Sequence, residues 1–161
     1  MKKNQKGSNR AKEILEQIGF DEVTDLSMKD LLAGFDIIYL EEELNGSDGK
    51  IIRGKLKTII KVDSNISTSQ RKRFVAAHEL GHFFLHKKLE FHLDNQKTLS
   101  WHRLEETYQK GIQEIEANDF AGELLMPEKV FKEFISGESF GQALIKEISL
   151  RFNTSLTSVI F

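Results

Sequence analysis

The densest chemistry in this sequence lies in Arg73-Phe74-Val75-Ala76-Ala77-His78-Glu79-Leu80-Gly81-His82-Phe83-Phe84-Leu85-His86. It contains His-Glu-x-x-His, and on an α-helix residues four apart stand on one face, one turn above the other. Both imidazoles can therefore reach a single Zn²⁺ about 2.0–2.1 Å away. Glu79, beside the first histidine, is placed to take a proton from zinc-bound water. A catalytic zinc needs a third protein ligand and an open position. An extended His-x-x-Gly-x-x-His would supply one, but Leu85 and Lys88 occupy the required positions. The other route is a glutamate from a following helix, which would complete a His₂Glu set.

The segment 112–125 reads as that helix and offers Glu114, Glu116 and Glu123. Glu114 is the first choice and Glu116 the fallback. Glu114 opens a Glu-x-x-small-Asn arrangement that puts Asn118 one turn away on the same face. From there Asn118 can hydrogen-bond a ligand side chain and orient it.

These residues need a scaffold, and the chain has enough for one domain over residues 1–161. Its composition is 39% apolar with 12 Phe, and the charged 30% nearly balances at a net charge of −2. That balance gives no global attraction to nucleic acid. With no cysteine, any metal must be held by His, Asp or Glu. No apolar run suits a secretory signal or a membrane span, so a cytoplasmic protein is expected.

Residues 1–9 read as a disordered, solvated basic tail. Helical spacing follows over 10–18, then a short helix from Ser27 to Ala33 with Ser27-x-x-Asp30 as its capping pair. Phe35–Leu40 reads as a strand, and the turn-rich 41–49 suggests a hairpin connection. Strands at 51–53 and 56–62 come next, the last with one wet face. If it is an edge strand, an extended substrate could pair with it. Ser67-x-x-Gln70 resembles a capping box opening the motif helix, about 69–87. On that helix Gly81 implies a close backbone approach. His86 reads as a cation at the helix C-terminus rather than a fourth ligand.

The stretch 90–111 shows no clear period and reads as a long irregular segment. It holds the candidates for stabilising an oxyanion. Of His92, His102, Arg103 and Tyr108, the choices are His102 and Tyr108, while Trp101 reads as a packing residue. Pro127 stops the second helix and starts another, 128–135. The segment 138–161 reads as helix, turn at Asn153-Thr154-Ser155, and a second helix, a truncated helix-turn-helix-like arrangement.

Arg73 to His86, taken with Glu114-Ile-Glu-Ala-Asn-Asp-Phe-Ala-Gly-Glu-Leu-Leu-Met-Pro127, resembles the ImmA/IrrE family of zinc metallopeptidases, in its short, phage- and mobile-element-associated form. The resemblance spans about residues 8–160. It implies an α+β fold with a zincin-like, gluzincin-type core, and cleavage of a helix-turn-helix transcriptional repressor that releases silenced genes. By that resemblance His78, His82 and Glu114 are the zinc ligands, Glu79 the general base and Asn118 the end of the second motif.

Two other functions compete with peptidase activity. A non-proteolytic module could sequester a repressor or antitoxin around a structural zinc, although such a site has no use for Glu79. Direct DNA binding by the tail is not expected, because Leu156–Phe161 has no Lys, Arg, Asn or Gln to read base edges. Substrate identity and oligomeric state stay open.

Overall fold

The computed structural model describes residues 5–87 and 101–155, over 101–109 the backbone alone. The chain forms α1 (Lys6–Ile18), α2 (Met28–Ala33), β1 (Ile37–Glu42), β2 (Gly49–Arg53), β3 (Thr58–Asp63), α3 (Ser69–Leu85), α4 (Trp101–Leu125), α5 (Glu128–Ile135) and α6 (Gln142–Phe152). This is a mixed α+β fold around one small sheet.

β3 carries Ile60 and Val62, both fully buried, and a strand buried this deeply takes the centre of its sheet. The order is β1-β3-β2, with β1 parallel and β2 antiparallel to β3. Two expectations fall here. β1 and β2 do not form a hairpin, because β3 lies between them. β3 has both edges occupied and cannot pair with a substrate; the edge strands are β1 and β2.

β1 starts two residues later than expected, because Phe35 and Asp36 finish the turn that closes α2. Their amides donate to Leu32 O and Ala33 O, and Asp36 adopts φ 58°. Ser27 caps α2 as its spacing suggested, accepting from the Asp30 amide at 3.0 Å. On α3 the cap is Thr68, which accepts from the Arg71 amide at 3.3 Å, and not Ser67.

α3 lies between the sheet on one side and α4 with α1 on the other. Its residues Ala76, Ala77 and Leu80 are fully buried among Ile37, Ile51, Ile60, Phe120 and Leu124. Truncating an aliphatic side chain in such a place costs roughly 2–5 kcal/mol. Arg73 anchors the start of α3 by donating to Leu26 O at 2.7 Å and to Val23 O. Arg53, at the end of β2, donates to Phe83 O at 3.2 Å, to Lys87 O at 2.9 Å and to His82 O at 2.8 Å, the last of which also accepts from the His86 amide.

Two helices are longer than the sequence suggests. α1 begins at Lys6, so residues 6–9 belong to a helix, with Gly7 buried against α4. α4 begins at Trp101, so 101–111 is helical where an irregular segment was expected. That stretch is rich in Arg, Leu, Glu, Gln and Lys, all good helix formers, and Gly111 is tolerated within a helix that is packed elsewhere along its length. α5 and α6 build a second cluster, with Leu144, Ile148 and Phe152 against Val130, Phe131 and Phe134. α6 ends at Asn153 in the left-handed region, φ 50°. The second helix expected after it lies at 156–161, outside the described residues. No described helix is long and apolar enough to cross a membrane.

A Cβ on Gly7 would fall 2.1 Å from Glu116 O and 2.8 Å from Phe120 N. Gly7→Ala should therefore destabilise by roughly 1–3 kcal/mol in urea unfolding, although alanine is the better helix former. The Arg151 guanidinium grips Glu22 in a bidentate pair at 2.7 and 2.5 Å, tying α6 to the loop after α1. That pair holds the Glu22 carboxyl below its usual value of 4.5. Its contribution, about 1 kcal/mol, is complete above that value and is lost as acid reaches the lower native value. The difference in urea midpoint between wild type and Glu22→Gln should accordingly shrink as pH falls below 4.5.

Candidate active site

The site is set by how close α4 comes to α3. A Cβ on Gly81 would lie 3.1 Å from Ala117 Cα and 3.1 Å from the Phe120 ring, so a larger residue would push the helices apart. At this separation Glu114, on the turn before Ala117, lies over the histidine pair. Among the described residues, ligand atoms of His78, His82 and Glu114 all fall within 4.8 Å of one another. His78 Nε2 is 3.0 Å from His82 Nε2, and the Glu114 oxygens stand 3.2 and 3.4 Å from those two nitrogens. Donors set tetrahedrally about 2.0–2.1 Å from one ion stand about 3.3–3.4 Å apart. This donor set therefore fits a divalent ion such as zinc.

Both histidines are held from behind. His78 Nδ1 is 2.9 Å from Asn118 Oδ1; the amide oxygen only accepts, so Nδ1 carries a proton and Nε2 is the nitrogen that faces the site. His82 Nδ1 is 2.9 Å from His86 Nδ1, and His86 Nε2 is 2.9 Å from Glu116 Oε2. Lys6 Nζ reaches the same carboxylate at 2.8 Å.

The electrostatics follow from these contacts. Burial opposes charge on the His78 ring, but hydrogen bonding to Glu114, with the Glu79 and Glu114 charges, outweighs it and holds the pKa above the usual histidine value. Hydrogen bonds from His78 and His82 hold the Glu114 carboxyl far below the usual range. Burial pushes the Glu79 carboxyl up, with His78 and His82 pulling the other way. Burial pushes His86 down, against its bond to Glu116.

Glu79 is wedged between α3 and the start of β2. A Cβ on Gly49 would come within 2.5 Å of Val75 Cγ1 and 2.9 Å of Glu79 Oε1. Gly49, Lys50 and Ile51 line a cavity of about 630 Å³ together with His78, Glu79 and Glu114. The accessible edge beside the donors is thus β2. A second cavity, about 810 Å³, shares Arg71, Phe74 and Asn118 with the first and extends toward Glu123 and Met126.

The structure brings together His78, Glu79, His82, Glu114 and Asn118. It does not bring Glu116 to the donor group; that side chain turns into the core and holds His86. His86 is not an exposed helix-terminal cation: it is 5% exposed, with both ring nitrogens engaged. His102 and Tyr108 lie on the N-terminal part of α4, and their side chains fall outside the described residues, as do those of Trp101 and Arg103. His92 lies wholly outside them. Sequence reasoning missed the pairing of His86 with Glu116 and the close approach at Gly49. For the first, the signal was a third histidine continuing the four-residue spacing of the motif.

Fold and site together define a mixed α+β scaffold that presents a helix-borne His-Glu-x-x-His to a glutamate on the next helix. The chain belongs to the Peptidase_M78 family of IrrE N-terminal-like domains, whose family model matches residues 33–160. Over 100 residues it is 32% identical to the metallopeptidase ImmA of Bacillus subtilis, covering 60% of this chain and 52% of that protein. It is 33% identical over 84 residues to an uncharacterised immunity region protein 2 of Bacillus phage phi105, covering 52% of this chain and 48% of that protein. The chain thus spans about half the length of these curated relatives. It shares its fold with a solved Mycobacterium tuberculosis transcriptional regulator, with a TM-score of 0.64 at 16% identity, over 94% of this chain and 44% of that one.

Proposed function

We propose that this chain is a cytoplasmic, zinc-dependent endopeptidase with a gluzincin-type core. In this reading His78, His82 and Glu114 hold the metal, and the substrate is a helix-turn-helix transcriptional repressor. The observation that carries the reading is Glu79, a buried carboxylate held beside the His-His-Glu donors and facing a cavity. A purely structural metal gains nothing from such a group. Bound zinc supplies Lewis-acid polarisation of the scissile carbonyl and lowers the pKa of water to about 7.

The chain's own residues do the rest. Asn118 keeps His78 in the tautomer that leaves Nε2 free. Glu79 takes the proton of the attacking water and delivers it to the leaving amine. The outer edge of β2, unpaired among the described residues, offers backbone donors and acceptors to an extended peptide, the role first expected of β3. His102 and Tyr108, twelve and six residues before Glu114 on α4, are proposed as donors to the developing oxyanion. Family membership and the similarity to a metallopeptidase support proteolysis, and the phage immunity-region relative supports a repressor as the target.

The test is intact-mass analysis of a helix-turn-helix repressor encoded beside this chain, incubated with the zinc-loaded protein. Two fragments are expected with wild type, and at least 10²-fold slower cleavage with Glu79→Gln at equal zinc content. An intact repressor that co-elutes with both proteins would replace this reading with the sequestering module. Gly49→Ala should displace the Glu79 carboxylate and lower kcat/KM by roughly 10²-fold. Its zinc content should be unchanged, which separates loss of the base from loss of the metal.

A further inference from the structure

We infer that His86 and Glu116 form a positioning relay that fixes the tautomer and ring orientation of His82. The inference rests on the reading of His82 as a metal ligand, and extends it to two residues that reach the metal only through another side chain.

The proton placement follows from the charge at the far end of the relay. Glu116 lies beside the Lys6 ammonium at 2.8 Å, which keeps it a carboxylate, and a carboxylate only accepts hydrogen bonds. His86 Nε2, 2.9 Å away, must therefore carry a proton. In a neutral ring that leaves a lone pair on His86 Nδ1. His82 Nδ1, 2.9 Å from it, must then donate. The proton on His82 Nδ1 makes Nε2, 3.0 Å from His78 Nε2 and 3.4 Å from Glu114 Oε1, the nitrogen turned to the donor group.

The opposite tautomer of His82 would set two lone pairs against each other at that separation. His82, His86 and Glu116 are only 3, 5 and 4% exposed, so water could not relieve the mismatch, and an unsatisfied buried polar atom is costly. Carboxylates commonly orient a metal-bound histidine directly. Here the carboxylate acts one imidazole further back, while His78 uses the exposed amide of Asn118 for the same purpose.

The test reads tautomers before it reads affinity. Long-range ¹H–¹⁵N correlation spectra of the zinc-loaded wild type at pH about 8 should show His82 protonated at Nδ1, and His86 protonated at Nε2 and bare at Nδ1. His86→Phe, which removes the acceptor, should speed exchange of the His82 Nδ1 proton with water and leave that of His78 unchanged. By chelator competition it should bind zinc about 10–100-fold more weakly, and Glu116→Gln should weaken binding in the same direction. Wild-type His86 protonated at Nδ1 would overturn the relay, as would His86→Phe binding zinc within about twofold of wild type. If a variant fails to fold, the wild-type spectrum alone decides. A wild type that binds no zinc would instead overturn the metal centre itself, which keeps the two failures distinct.

Discussion

The separation between α3 and α4 is the constraint on which the centre depends. Helices with ordinary side chains at their contact sit about 8–10 Å apart. Gly81 against Ala117 lets the backbones come closer, and Gly7 lets α1 press on the adjoining face of α4. α4 is thus seated against two helices at positions where even a methyl group would intrude. That seating has a chemical result: a carboxylate on one helix reaches imidazoles on another to within 3.2–3.4 Å.

α3 serves two neighbours at once. Its α4-facing side carries the donor histidines, and its sheet-facing side carries Glu79 against Gly49. The helix is fastened at both ends by arginines that donate to backbone carbonyls, Arg73 at the start and Arg53 at the finish. Guanidinium groups suit this task because their planar fork satisfies several carbonyls with little loss of freedom. Arg53 also ends β2, so the strand lining the cavity and the helix carrying Glu79 are held in fixed register.

The readable parts of the sequence were those in which a single local period carries the information. His78 and His82 are four apart on one helix, and so are Glu114 and Asn118; the side-chain directions of a helix place each pair on one face. Ser27 and the Asn153 turn were legible for the same local reason. Sheet order was not, because which strand becomes central depends on partners far away in the chain. The start of α4 was missed because weak periodicity at 101–111 hides a helix stabilised further along. His86 and Glu116 were misassigned because a carboxylate and an imidazole look like surface groups until the fold buries them together, 30 residues apart in sequence.

The packing of Gly7 on α4 carries a consequence for when the protein acquires its chemistry. Lys6 and Glu116 are 110 positions apart, and ribosomes add about 5–20 residues per second. α1 therefore waits roughly 5–20 s for the helix it packs against. Until then Ala11, Ile14 and the inner face of α3 lack their cover. A nascent chain that has not reached residue 114 holds only two of the three donors. Assembly of the centre is a late event in synthesis: Glu79 and both histidines are made early and wait for α4 to close the cleft over them.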